Sequence, residues 1–165
     1  MNNFDDRIAR MRGPHSAIFT PFDAKGDVNY DVLGQLVEYQ LEQGLAGFFV
    51  TGSTGEGLLL SEEERNLVLQ KVVEVTAGRG NVVAHVGHPS TDMSTRLAIS
   101  AADAGADWIS SVAPIYHGTT FAGALRHYSQ IASATDLPFM MYALGTELDP
   151  QRDTQFFDIP NLCGL

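Results

Sequence analysis

The strongest constraint on what this chain can fold into is its alternation of short apolar runs with longer stretches of helical period. "HSAIFTPF" (15–22), "AGFFVTG" (46–52), "NVVAHVG" (81–87), "DWISSVAP" (107–114) and "LPFMMYA" (137–143) read as strands, and "NLCGL" (161–165) opens another. Between the first two, "DVLGQLVEYQLEQG" (31–44) sets Val32, Leu33, Leu36, Val37 and Leu41 on one helical face and closes on Gly44. Ser61 and Glu64 have the S-x-x-E spacing of a capping box, with Glu62 and Glu63 suited to the positive end of the helix that follows. "TDMSTRLAISAADAG" (91–105), a stretch from about 120 to 134, and a short segment after Asp149 and Pro150 complete the helical readings.

The pattern makes five strand–helix units and the start of a sixth strand. Unbroken apolar strands belong in a parallel sheet covered on both faces. Right-handed repetition of such units gives an open doubly wound sheet or a (β/α)8 barrel. The barrel is expected here, because no dinucleotide fingerprint follows the first strand. In addition, nearly every strand ends in a polar or glycine-rich cluster: "TPFD", "TGSTGEG", "HVGHPS", "APIYHG" and "YALGTE". A typical barrel takes about 250 residues, and this sequence has 165. The expected fold is therefore an α/β (β/α)8 TIM barrel, truncated after about five units and the start of strand six. Residues 1–13 would be an N-terminal extension and 14–165 an incomplete barrel domain, with two apolar sheet edges open.

The bulk numbers exclude several function classes. Ten basic against twenty acidic residues leave a net charge of −10 without basic clusters, so no nucleic-acid partner is expected. The longest apolar run, "LAGFFV", falls far short of the ~20 residues of a membrane helix, so no membrane partner is expected either. "MNNFDDRIARMRG" lacks the apolar centre of a signal peptide, and the single cysteine, Cys163, rules out an intrachain disulfide. A cytoplasmic protein is expected, with Cys163 reading as a small apolar residue beside a strand.

A glycine-rich loop between a strand and a helix suits an anion, and residues 47–64 contain one. It is not a nucleotide motif. Ser53 stands where a phosphate-binding lysine would be, and "GSTGEG" reverses the dinucleotide order of glycines. Ser53 and Thr54 instead offer two hydroxyls and successive backbone N–H groups between Gly52 and Gly55. Such a nest fits the carboxylate of one small molecule, although a plain tight turn remains an equal reading of the loop alone.

"FFVTGSTGEGLLLSEEER", "VAPIY" (112–116), "PFMMY" (138–142) and "NLCGL", in this order, resemble the dihydrodipicolinate synthase / N-acetylneuraminate lyase family. The resemblance runs from about Pro14 to the end. It implies a barrel lyase or aldolase that forms a Schiff base with pyruvate or a related 2-oxo acid, needs no cofactor or metal, and works as a homo-oligomer when full length. It also implies that Ser53 and Thr54 grip the carboxylate, that Tyr142 shuttles protons at the substrate hydroxyl, and that Tyr116 assists, reaching toward a neighbouring subunit. A phenol bonded to further hydroxyls can pass on the proton of a carbinol. For either tyrosine alone, an aromatic strand-end residue is the competing reading.

The resemblance places the imine lysine on the sixth strand, directly after a stretch like "NLCGL". Lys25 lies in the turn "DAKGD" and Lys71 lies mid-helix, and neither is expected to be that nucleophile. The 165-residue piece alone is thus expected to be inactive. "ALGTELD" replaces an N-x-P pattern, Ile115 and His117 flank Tyr116, and Glu147 falls where a synthase arginine would bind a second carboxylate. An acid there repels that carboxylate, which predicts an aldehyde partner other than aspartate semialdehyde. Two alternatives stay open. His85, His88, Asp92 and His117 could serve a metal-dependent aldolase or hydrolase if Gly87 turns the strand. The chain could also be a non-catalytic scaffold, a half-barrel closed by a partner.

Overall fold

The computed structural model describes residues 3–116, 118–143, 149, 151 and 153–164. Six parallel strands form one sheet in plain sequence order: β1 (His15–Ala17), β2 (Gly47–Val50), β3 (Asn81–His85), β4 (Trp108–Val112), β5 (Phe139–Tyr142) and β6 (Leu162–Gly164). The order contains no reversal, and a doubly wound sheet needs one at its switch point. The connecting helices are α2 (Tyr30–Glu42), α3 (Glu62–Thr76), α4 (Thr91–Ala104) and α5 (Phe121–Ala132), and each packs against the next. A sheet wound in one direction with its helices in one outer layer is the arc of a (β/α)8 barrel.

The period of two along each strand sorts side chains between two environments. Phe48, Val50, Val82, Ala84, Ile109, Phe139 and Met141 join Leu33, Val37, Val68, Val72, Leu97 and Ile131 of the helices in one apolar core. Each large side chain buried there contributes about 1.5–3 kcal/mol. The alternate residues Phe49, His85, Ser110, Val112, Met140 and Tyr142 take the opposite, inner face. The central strands β3 and β4 are buried at every position, as expected of strands with a neighbour on each side and a layer on each face.

Local chemistry sets the helix ends. The predicted capping box forms: Glu64 N–H donates to Ser61 Oγ at 3.2 Å, and Ser61 N–H donates to the Glu64 carboxylate at 2.8 Å. Asn29, Ser90 and Thr120 cap α2, α4 and α5 in the same way with one side-chain oxygen each.

Three details differ from the sequence expectations. β1 stops at Ala17 rather than running through 22, because Thr20 turns its hydroxyl to the Gly55 carbonyl (2.7 Å) and Pro21 has no N–H for a ladder. Phe22 pairs instead with Val28 in an isolated antiparallel bridge. The segment after Asp149 is a 3₁₀ helix, Asp153–Asp158, whose Phe156 packs between Phe121 (5.0 Å) and Tyr128 (5.9 Å). The N-terminal extension carries a helix, α1 (Asn3–Arg10). Its carbonyls at Arg10 and Arg7 accept hydrogen bonds from Asn81 Nδ2 (2.6 Å) and the Trp108 indole (3.4 Å). Those residues begin β3 and β4, so α1 lies at the end of the sheet remote from the glycine-rich loops.

Candidate active site

The loop after β2 doubles back over its own strand. Thr51 takes a left-handed conformation at φ 55°, and two close approaches follow that glycine alone permits. A Cβ on Gly52 would lie 2.6 Å from the Phe49 ring, and one on Gly57 would lie 1.9 Å from the Thr51 carbonyl oxygen. Gly57 N–H donates to the Gly52 carbonyl and Glu56 N–H to that of Ser53, both at 3.1 Å, which closes residues 52–57 into a tight turn. Among the described residues, the backbone N–H groups of Ser53, Thr54 and Gly55 find no acceptor, and neither do the Ser53 and Thr54 hydroxyls. Five donors are therefore uncommitted at the carboxyl end of one strand.

The residues that carry them border a cavity of about 290 Å³ lined by Ala17, Phe49, Gly52, Ser53, Thr54, Gly55, Met140, Met141 and Tyr142. The loop and Tyr142 come from strands three places apart in the sheet, yet they share one wall-to-wall space. The Tyr142 ring makes T-shaped pairs with Phe49 (centroids 6.1 Å apart) and His85 (6.4 Å). Phe49 and His85 are themselves 5.7 Å apart. Phe49 and Tyr142 line this cavity, and His85, in contact with both rings, borders the neighbouring one. A cavity of this size holds a small molecule of a few heavy atoms in contact with both the loop and the phenol.

Ser53 also belongs to a second cavity of about 200 Å³, bounded by Thr51, Glu56, Leu58, Leu59, His85, Val112 and Ile115 among others. Tyr116, by contrast, is 82% exposed and borders neither space. Among the predicted site residues, the structure therefore brings Gly52, Ser53, Thr54, Gly55 and Tyr142 together and leaves Tyr116 on the rim.

Beneath the loop lies a network that the motifs did not reveal. His85 and Thr51 clasp each other: the Thr51 hydroxyl has two carbonyls in reach, that of Val50 at 2.7 Å and that of His85 at 3.0 Å, and His85 Nδ1 lies 3.3 Å from the Thr51 carbonyl. An N–H on Nδ1 makes that last contact a hydrogen bond and leaves Nε2 as a bare acceptor. Burial, and then the nearby Arg65 charge, push the His85 pKa down to about 4, so the ring is neutral at physiological pH. Ser110, the register partner of His85 on β4, is fully buried, and its hydroxyl has no partner among the described residues.

Arg65 is the other hidden member. It is 3% exposed and donates from Nη2 to the His85 carbonyl (2.6 Å) and from Nη1 to that of Gly87 (3.2 Å). Burial lowers its pKa to about 10, which leaves it charged. The sequence did hold a signal: Arg65, Val68, Leu69, Val72 and Thr76 form the buried stripe of α3, and a cation at helical spacing among apolar residues is out of place there.

The remaining candidates fall elsewhere. Lys25 sits in the turn where its N–H binds the Asp23 carboxylate, and Lys71 pairs with Glu74 at 3.3 Å on the outer helical layer. His88 Nδ1 accepts from Ser90 N–H at 3.0 Å in the loop before α4. Among the described residues, no three His, Cys, Asp or Glu side chains converge as a metal site; His117 lies outside them, as does Glu147. Cys163 is half-buried on β6, with its thiol directed to the Asn161 carbonyl (3.1 Å). Among the described residues, no helix is long and apolar enough to cross a membrane.

Residues 10–165 match the model of the dihydrodipicolinate synthetase family. A 4-hydroxy-tetrahydrodipicolinate synthase of Pseudomonas putida (strain W619) is 38% identical over 159 residues, covering 94% of this chain and 54% of the relative. The solved N-acetylneuraminate lyase from Mycoplasma synoviae superimposes with a TM-score of 0.89 at 30% identity, over 95% of this chain and 54% of its own. A chloride-inhibited dihydrodipicolinate synthase from Acinetobacter baumannii, solved with pyruvate, gives 0.88 at 34% identity over 93% and 54%. The chain thus spans about half the length of the relatives it matches.

Proposed function

From the premise that this chain belongs to the dihydrodipicolinate synthetase family, we propose that its loop at residues 52–55 binds the carboxylate of a pyruvate-type 2-oxo acid, as part of a lyase or aldolase acting through a Schiff base. The observation that carries this reading is the pairing of five uncommitted donors with the Tyr142 phenol across one cavity of about 290 Å³. Three N–H groups and two hydroxyls on a rigid turn match the oxygens of a carboxylate, and they act best where little water competes. The Phe49 and Met140 side chains supply the apolar contact for the rest of so small a ligand.

Tyr142 then stands at the far end of the bound acid from the carboxylate, where an imine's neighbouring carbinol gains or loses its proton. The amine comes from outside these 165 residues, since neither Lys25 nor Lys71 reaches the cavity. Tyr116, which lines neither cavity, in this reading assists from the rim across a contact between subunits, in a full-length homo-oligomer.

Carboxylate binding needs no imine, so it can be tested on this chain. In an isotope-labelled sample titrated with pyruvate, the Ser53, Thr54 and Gly55 amide resonances should move together and saturate. Amides that stay in place while others respond would place the anion elsewhere and end this reading.

A further inference from the structure

A buried guanidinium with no acid beside it is an unbalanced charge, and proteins keep such charges paired or neutralised. Arg65 is 3% exposed, and its two hydrogen bonds go to neutral carbonyls. Its Nε finds no partner among the described residues. Its nearest acidic influence is Glu62, but the Glu62 carboxylate is engaged by Arg96 at 3.1 and 3.2 Å on the outer surface. Among the described residues, no carboxylate pairs with Arg65, although α3 begins with three glutamates.

The charge is tied to the loop by one atom. The His85 carbonyl accepts from Arg65 Nη2 at 2.6 Å and lies 3.0 Å from the Thr51 hydroxyl, which also reaches the Val50 carbonyl, so the guanidinium lies one carbonyl away from the residue that starts the turn. Thr51 in turn holds its left-handed conformation while clasped by His85 from the other side. Pinning the carbonyls of His85 and Gly87 also keeps the end of β3 closed against α3.

We propose that Arg65 is a positioning residue for the anion loop and that the bound carboxylate of a 2-oxo acid is its missing counter-charge. This rests on the reading of residues 52–55 as a carboxylate site. Arg65 does not touch the ligand. It holds Thr51 and His85 in the arrangement that aims the loop's donors, and its field, weakly screened by the surrounding core, favours an anion in the cavity over a neutral molecule of the same shape. Leaving the cation without an acidic neighbour costs stability in the empty protein and returns it as anion selectivity.

The test compares pyruvate with methyl pyruvate, which keeps the ketone but carries no charge, using dissociation constants from resonance titration of this chain. Arg65→Met should lower the preference for pyruvate over the ester by about tenfold, the scale of one unit charge that does not touch the ligand, acting from about 12 Å at an effective dielectric of about 20. Arg65→Lys should restore most of that preference while binding both ligands more weakly, because a lysine lacks the fork for two carbonyls. In the unaltered chain, the Arg65 Nε resonance should shift on saturation with pyruvate and stay in place with the ester. That last measurement stands even if the methionine variant does not fold. An unchanged preference in Arg65→Met, or a silent Arg65 resonance at pyruvate saturation, overturns the proposal while leaving the loop reading intact. If the unaltered chain binds neither ligand, both fall together.

Discussion

His85 shows how much one side chain's surroundings decide. On sequence alone it belonged to a possible metal set with His88, three positions further along. In the fold it is a neutral ring, buried against Arg65 and clasped to Thr51, with its pKa near 4. The unfolded chain takes up a proton on the same ring near pH 6.5. Acidification from 6.5 toward 4 therefore protonates the unfolded chain alone, and stability falls through that window by up to about 3 kcal/mol; above 6.5 the ring contributes no slope. Urea titrations across this range should show a shallower pH dependence for His85→Asn than for the unaltered chain, and identical slopes would contradict the assignment. The hydroxyls and glycines of the loop were legible at this scale because they fall in one short stretch, whereas Tyr142 was singled out only through the resemblance carried by "PFMMY". Arg65 left only a weaker signal, a cation at helical spacing within the apolar stripe of α3, which does not by itself say what the guanidinium binds.

At the scale of elements, the chain states its own boundaries. Ser61 and Glu64 announced α3 and form the reciprocal cap, and the helix ends with Ala77 in the left-handed conformation at φ 47°. Ser61→Ala should cost about 1 kcal/mol of stability, measured by thermal or urea unfolding, with Ser61→Gly milder. A cost near zero would mean that the Glu64 carboxylate alone satisfies the helix start. β1 was read too long because "HSAIFTPF" is apolar throughout, and propensity cannot see that Thr20 is drawn to the Gly55 carbonyl. The same bond buttresses the loop at residues 52–57 from the β1 side, so the shortened strand and the shape of that loop have one cause. The 3₁₀ helix at Asp153–Asp158 was read as an ordinary short helix for a related reason: its geometry follows from seating Phe156 among Phe121 and Tyr128.

For the molecule as a whole, the decisive layer is the one between sheet and helices. Phe139 is fully buried on β5, against the ring of Tyr128 at 5.9 Å, and joins the outer core to the strand that carries Tyr142. Phe139→Ala should destabilise the fold by about 3–5 kcal/mol in urea unfolding, and a loss below 1 kcal/mol would show that this layer is not close-packed. The inner face is the opposite case, since its side chains meet across the sheet rather than along a helix. Sequence by itself determined the strand–helix alternation and the caps, because these depend on residues within one or two turns of each other; for the loop after β2 it set hydroxyls beside glycines and left a plain tight turn as an equal reading. Tertiary structure alone decided that Tyr142 faces that loop across a shared cavity, that Tyr116 stands at the rim, and that Arg65 lies buried under Thr51. Those relations depend on the curvature and stagger of the sheet, which bring distant strands together and leave no periodicity in the chain to announce it.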